Sequence, residues 1–184
     1  MGLDLRRADT PAYMQNFLMK ILTRVLEGAP QEEILDMITK FRKDFESRPA
    51  WEKGTPKRVN NLNKFRTMEE EQGKANMPGH VRAALNWNTL KRVHGDLYSQ
   101  DIVDGMKTIV CKLKPNPLGY TSIAYPIDEL RLPKWFTELP FDIRSMADTI
   151  IDKKLTNLIG VLEEYNLEDT KQYTTFNTMF NFSD

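Results

Sequence analysis

Apolar residues recur at helical spacing in three separate parts of this chain. Met14, Leu18, Ile21 and Val25 stand at i, i+4, i+7 and i+11, with Phe17 and Leu22 widening the stripe, and this predicts an amphipathic helix. Thr10-Pro11 opens it, because Thr offers a capping hydroxyl and Pro at the first helical position forfeits no hydrogen bond. Gly28 and Pro30 close it. Glu32 and Glu33 favour the positive N-terminus of a second helix, whose apolar face is Ile34, Ile38, Phe41 and Phe45 and which Pro49 stops. The short link Glu27-Gly-Ala-Pro30 predicts that the two helices pack as an antiparallel hairpin. A third stripe, from Ile143 and Met146 through Ile150, Ile151, Leu155 and Leu158 to Leu162, predicts one long amphipathic helix over 142–165.

The region between these helices has a different texture. From Arg48 to Pro78 the helical period fails under Pro49, Gly54, Pro56, Gly73 and Pro78, so a basic loop region is expected, with Met68-Glu-Glu-Glu-Gln-Gly73 as a solvated insertion. Pro78 to Trp87 holds a short helix with Val81 and Leu85 on one side. Met106–Leu113 and Thr121–Tyr125 have β-type composition and flank the turn-rich Lys114-Pro-Asn-Pro-Leu-Gly119, which predicts a β-hairpin. Leu132-Pro-Lys-Trp-Phe136 starts another short helix. After Asn166 the pattern dissolves, and a flexible tail is expected. The fold class is therefore α+β and mainly helical, with a domain over 1–166 and a tail over 167–184.

Composition narrows the picture. At 184 residues and 21.4 kDa, with 40% apolar and 28% charged residues, the chain suits a globular domain with a proper core. The lone Cys111 excludes an internal disulfide, and Cys and His at zinc-ligand spacing are missing. No run approaches the ~20 apolar residues of a membrane span, and residues 1–10 lack the apolar core of a signal peptide. A reduced, cytoplasmic setting without a membrane partner is expected.

Charge changes the picture more. The formal net charge is zero, yet Lys53 to His94 holds nine Lys or Arg against three acids. Lys and Arg neutralise phosphates, Asn and Thr hydrogen-bond phosphate oxygens, and Pro fixes the loop presenting them. A solvated basic surface is the alternative. Asn60-Asn61 within the run favours nucleic acid. His80 beside Arg82 reads as a phosphate donor rather than a general base, and Asp101 and Asp104 as solvated loop acids rather than metal ligands. Cys111 reads as core. Phosphoryl transfer needs carboxylates gathered around two Mg²⁺ ions, and the sequence carries no such pattern, no P-loop and no His-Glu-x-x-His. No catalytic residue, metal ligand or cofactor is assigned to this chain.

Thr55-Pro-Lys-Arg-Val-Asn-Asn-Leu-Asn-Lys-Phe65 followed by Met77-Pro-Gly-His-Val-Arg-Ala-Ala-Leu-Asn-Trp-Asn88 resembles the thumb of family B DNA polymerases from T-even-like tailed bacteriophages. Ile102-Val-Asp-Gly-Met-Lys107 and Leu113 to Pro126 are similar to the hairpin that follows in that family. Asp152-Lys153 resembles an acidic-Lys pair of its last long helix, Met179-Phe-Asn-Phe182 its extreme C-terminus, and Met1-Gly-Leu-Asp4 its junction between palm and thumb. The motifs are short but collinear and cover nearly the whole chain.

The resemblance implies a thumb that grips primer–template duplex through its phosphates, with Lys57, Arg58, Asn60, Asn61, Lys64, His80, Arg82, Lys107 and Lys153 as contacts. Palm, fingers and exonuclease, with their Mg²⁺, would belong to a separate catalytic chain ending before Met1, in the cytoplasm of an infected bacterial host. It also implies a tail that binds the sliding clamp through Phe176, Met179, Phe180 and Phe182, the first three sharing one side of a helical turn. Two positions depart from the family's pattern: Asn177 where an aromatic is expected after Phe176, and Asn157 where a second Lys is expected. A free-standing DNA-binding clamp adaptor, and a small nuclease built on His80 and scattered acids, are the other readings.

Overall fold

The computed structural model describes residues 9–73 and 76–164. The chain divides into two compact units, Met1–Pro49 with Ala147–Asp184, and Ala50–Met146.

In the first unit, α1 (Ala12–Leu26) and α2 (Gln31–Ser47) form the expected pair. The buried faces are the stripes read from the sequence: Met14, Phe17, Leu18, Ile21 and Val25 on α1, and Ile34, Ile38, Phe41 and Phe45 on α2. Phe17 stacks on Phe41 with ring centroids 4.0 Å apart. Gly28, at φ 80°, lets α1 end with the Ala29 N–H on the Arg24 carbonyl and the Gly28 N–H on the Val25 carbonyl. The Arg24 guanidinium then binds both carboxylate oxygens of Glu33, at 2.7 and 2.9 Å, across the turn. Thr10 does not cap α1. Pro11 takes the N-cap position, and the buried Thr10 hydroxyl finds no hydrogen-bond partner.

The stripe over 142–165 forms three successive helical segments: α6 (Ile143–Ala147), a π-helical turn (Asp148–Asp152) and α7 (Lys153–Glu164). A π turn adds one residue to the helical repeat, which lets the neighbours Ile150 and Ile151 both be buried alongside Leu155 and Leu158 in the core of the first unit. Asp152 accepts a charged hydrogen bond from Arg42 of α2.

The second unit corrects the reading of residues 48–78 as loop. They hold a 3₁₀ turn (Ala50–Lys53), a strand β1 (Thr55–Arg58) and an eleven-residue helix α3 (Leu62–Gln72). The expected hairpin is present as β2 (Lys107–Lys112) and β3 (Ser122–Pro126), and β1 joins it to make an antiparallel sheet of order β1-β2-β3. Asn61, at φ 62°, turns the chain from β1 into α3, and an Asp104 carboxylate oxygen accepts the Leu62 N–H. The triplet Glu69-Glu70-Glu71 is the last turn of α3, not an insertion. Acids there oppose the helix dipole, which is one reason the helix was illegible.

The helix expected over 78–87 runs on as α4 (Gly79–Val93), packed on the sheet. Val81, Ala84, Trp87 and Leu90 of α4 are buried with Cys111, Ile123 and Phe136. Phe136 of α5 (Lys134–Thr137) is the hub, with Trp87, Tyr125 and Phe141 rings all within 5.4 Å in edge-on contact. Cys111 is core, its thiol pushed up by burial. Among the described residues no helix is long and apolar enough to cross a membrane.

Candidate nucleic-acid interface

The edge strand β1 organises the candidate site. Its register against β2 sets Lys57 opposite Thr108 and Arg58 opposite Lys107. Directly opposed residues on an antiparallel pair have neighbouring side chains, so Arg58 and Lys107 form a cross-strand pair of like charge, an arrangement that costs stability by itself. Both are exposed, and among the described residues neither makes an ion pair. The Arg58 guanidinium is steadied by the Gly105 carbonyl at 2.6 Å, which accepts a hydrogen bond without cancelling the charge.

Lys57 points to the other face of the strand, because side chains alternate. There it bears on His80, in the first turn of α4. Partial burial, and then the Lys57 ammonium, push the His80 imidazole below its ordinary value. The Lys57 ammonium thus disfavours a second positive charge on His80. Asn60, Asn61 and Lys64 are exposed at the turn from β1 into α3. Lys57, Arg58, Asn60, Asn61, Lys64, His80 and Lys107 therefore belong to one ribbon end and the two helix starts beside it.

Two expected contacts differ. Arg82 is half-buried and donates to Glu69 of α3 at 2.6 Å, so its charge is already matched by a carboxylate. Lys153 is exposed in the first turn of α7, which belongs to the other compact unit. Phe176, Met179, Phe180 and Phe182 lie outside the described residues.

The loop acids have defined structural tasks. Asp104 caps Leu62, and Asp101 pairs with Lys91 at 3.1 Å. His94 is exposed and stacks on Trp135, 5.4 Å between centroids. No family model matches the chain, and no curated protein matches it closely enough to count as a relative.

Proposed function

We propose that this chain grips duplex nucleic acid through its sugar–phosphate backbone, without sequence preference. The Arg58–Lys107 cross-strand pair is the observation that carries the reading. Two exposed cations with no acidic partner gain from each other's proximity only when an anion lies between or across them. Lys57 acts on His80 at the opposite face of the same strand, where a phosphate would favour the imidazolium. Asn60, Asn61 and Lys64 add donors at the adjacent turn, and phosphate contacts of this kind position a duplex without reading its sequence.

In its finer form the proposal follows the resemblance of the sequence. The chain is the thumb portion of a phage-type family B DNA polymerase, it holds primer–template duplex behind a catalytic centre lying outside these 184 residues, and its C-terminal tail tethers the enzyme to a sliding clamp. Duplex binding by the full chain, titrated on unrelated sequences over a range of salt, tests the coarser reading. Equal affinities with a steep fall in log K against log[salt] are expected. Primer extension restored by adding a chain that carries the palm, fingers and exonuclease tests the finer one.

A further inference from the structure

Beyond the β1–β2 ribbon, the second unit contains a cleft of about 460 Å³ between α3, α4 and the loop that follows α4. Its polar groups include Arg66 and Asn63 from α3 and Arg92 from α4, and its apolar wall includes Leu85, Leu97 and Val103. Two guanidiniums from different helices thus flank one concave surface.

The two carboxylates that line the same cleft have partners of their own. Asp101 pairs with Lys91. Asp96 accepts the Ser99 hydroxyl and N–H, the Tyr98 N–H and the Trp135 indole N–H, neutral donors that fix its carboxylate in place. Among the described residues Arg92 uses only its Nε, toward the Asn88 carbonyl at 3.3 Å. Arg66 has a loose surface pair with Glu70 at 3.9 Å, of the kind solvent screens. The arrangement favours an anion with an apolar body. Leu97 is 88% exposed and the neighbouring Tyr98 100% exposed, so apolar and aromatic surface stands open at the same loop.

One loop, Val103 to Gly105, links the cleft to the proposed duplex site. Val103 lines the cleft, Asp104 caps the α3 residue Leu62 that also lines it, and Gly105 holds the Arg58 guanidinium. A double helix is far too wide to enter a cavity of this volume, whereas a single nucleotide fits.

We infer that this cleft is a second nucleic-acid station, one that takes an unpaired nucleotide of a strand continuing from the duplex held at β1 and β2. Arg66 and Arg92 hold its phosphate, Leu85, Leu97 and Val103 contact the sugar and base, and Tyr98 offers a face on which the next base stacks. The inference rests on the duplex-binding reading, and the loop shared with the Arg58 site favours a nucleic-acid strand over an acidic peptide.

The test compares a blunt duplex with the same duplex carrying a short single-stranded overhang of either polarity, using the full chain. One overhang should bind about tenfold more tightly than the blunt duplex. The double variant Arg66→Ala with Arg92→Ala should erase that advantage and leave blunt-duplex affinity unchanged, while Arg66→Lys with Arg92→Lys should retain most of it. Lys57→Ala with Arg58→Ala should do the reverse, weakening blunt-duplex binding and keeping the overhang advantage. No gain from either overhang, or equal loss on both ligands in the Arg66/Arg92 variant, overturns the inference and leaves the duplex reading standing. A poly-glutamate peptide that binds the cleft where overhangs give no gain would assign it to an acidic protein segment instead. Failure to bind even the blunt duplex brings down both readings.

Discussion

Gly54 lies so close to Ile109 that a β-carbon on it would meet Ile109 Cγ2 at 2.6 Å, the Val110 carbonyl oxygen at 2.6 Å and Cys111 Sγ at 2.9 Å. The residue before β1 can be only glycine if β1 is to lie against β2 at this register. Gly54→Ala must push against backbone as well as side chain, and overpacking of this kind costs about 1–3 kcal/mol. Urea unfolding should show that loss. Duplex affinity should fall with it even where the variant remains folded, because Arg58 and Lys107 no longer share a ribbon.

The ribbon's cations themselves give the next outcome. Lys57→Ala with Arg58→Ala should weaken duplex binding about equally on all sequences and lower the salt slope by roughly one to two units. An unchanged slope would mean that neither side chain meets phosphate.

Arg82 is an expected phosphate contact that already has a carboxylate beside it. Its match with Glu69 crosses from α4 to α3. Glu69→Gln removes a negative charge beside the proposed path and breaks the Arg82–Glu69 ion pair. Duplex affinity should rise about twofold to fivefold with a steeper salt slope, at a stability cost of roughly 0.2–1 kcal/mol for a half-exposed pair. Weaker binding by this variant would show that Glu69 is needed to aim Arg82.

How much of this was legible depended on whether an element buries a regular face. Met14 to Val25 and Ile34 to Phe45 announce their helices because each buries one stripe and solvates the rest. The strand Thr55–Arg58 has no such alternation: it is a four-residue edge containing Pro56, and two of its side chains are cations. Helix α3 buries fully only Leu62, so its period is faint. The basic composition of the site could be read, but the Arg58–Lys107 pairing could not, since it depends on a strand that reads as loop. The commitment of Arg82 to Glu69 and the placing of Arg66 and Arg92 along one cleft depend on how α3 lies against α4, which no local pattern encodes.

His80 makes the proposed site sensitive to pH, with a definite sign. Burial and Lys57 lower its folded-state value, while the unfolded chain keeps the ordinary value near 6.5. The unfolded state therefore binds the proton more readily. The associated stability is complete above about pH 6.5 and is lost as pH falls through the lowered folded value. Phosphate favours the imidazolium, so duplex affinity should rise over the same descent in pH. His80→Gln should flatten both profiles. Lys57→Gln, by removing the second cause, should move the His80 titration followed by NMR upward toward the ordinary value; no movement would mean that Lys57 does not act on His80.

The tail separates affinity for DNA from affinity for the clamp. Under the proposed function Met179 and Phe180 are anchors in a clamp groove, and truncating an aromatic anchor commonly costs ~2 kcal/mol or more of binding. Deleting Phe176–Asp184 leaves Arg58, Lys107 and the β1–β2 ribbon intact. Duplex binding and distributive primer extension with the catalytic chain should therefore stay near normal, while clamp-stimulated synthesis of long products should collapse. Loss of the cooperative melting transition in the truncated chain would instead mean that these aromatics complete a core. Clamp-stimulated synthesis that survives the deletion would place the tether elsewhere in the chain.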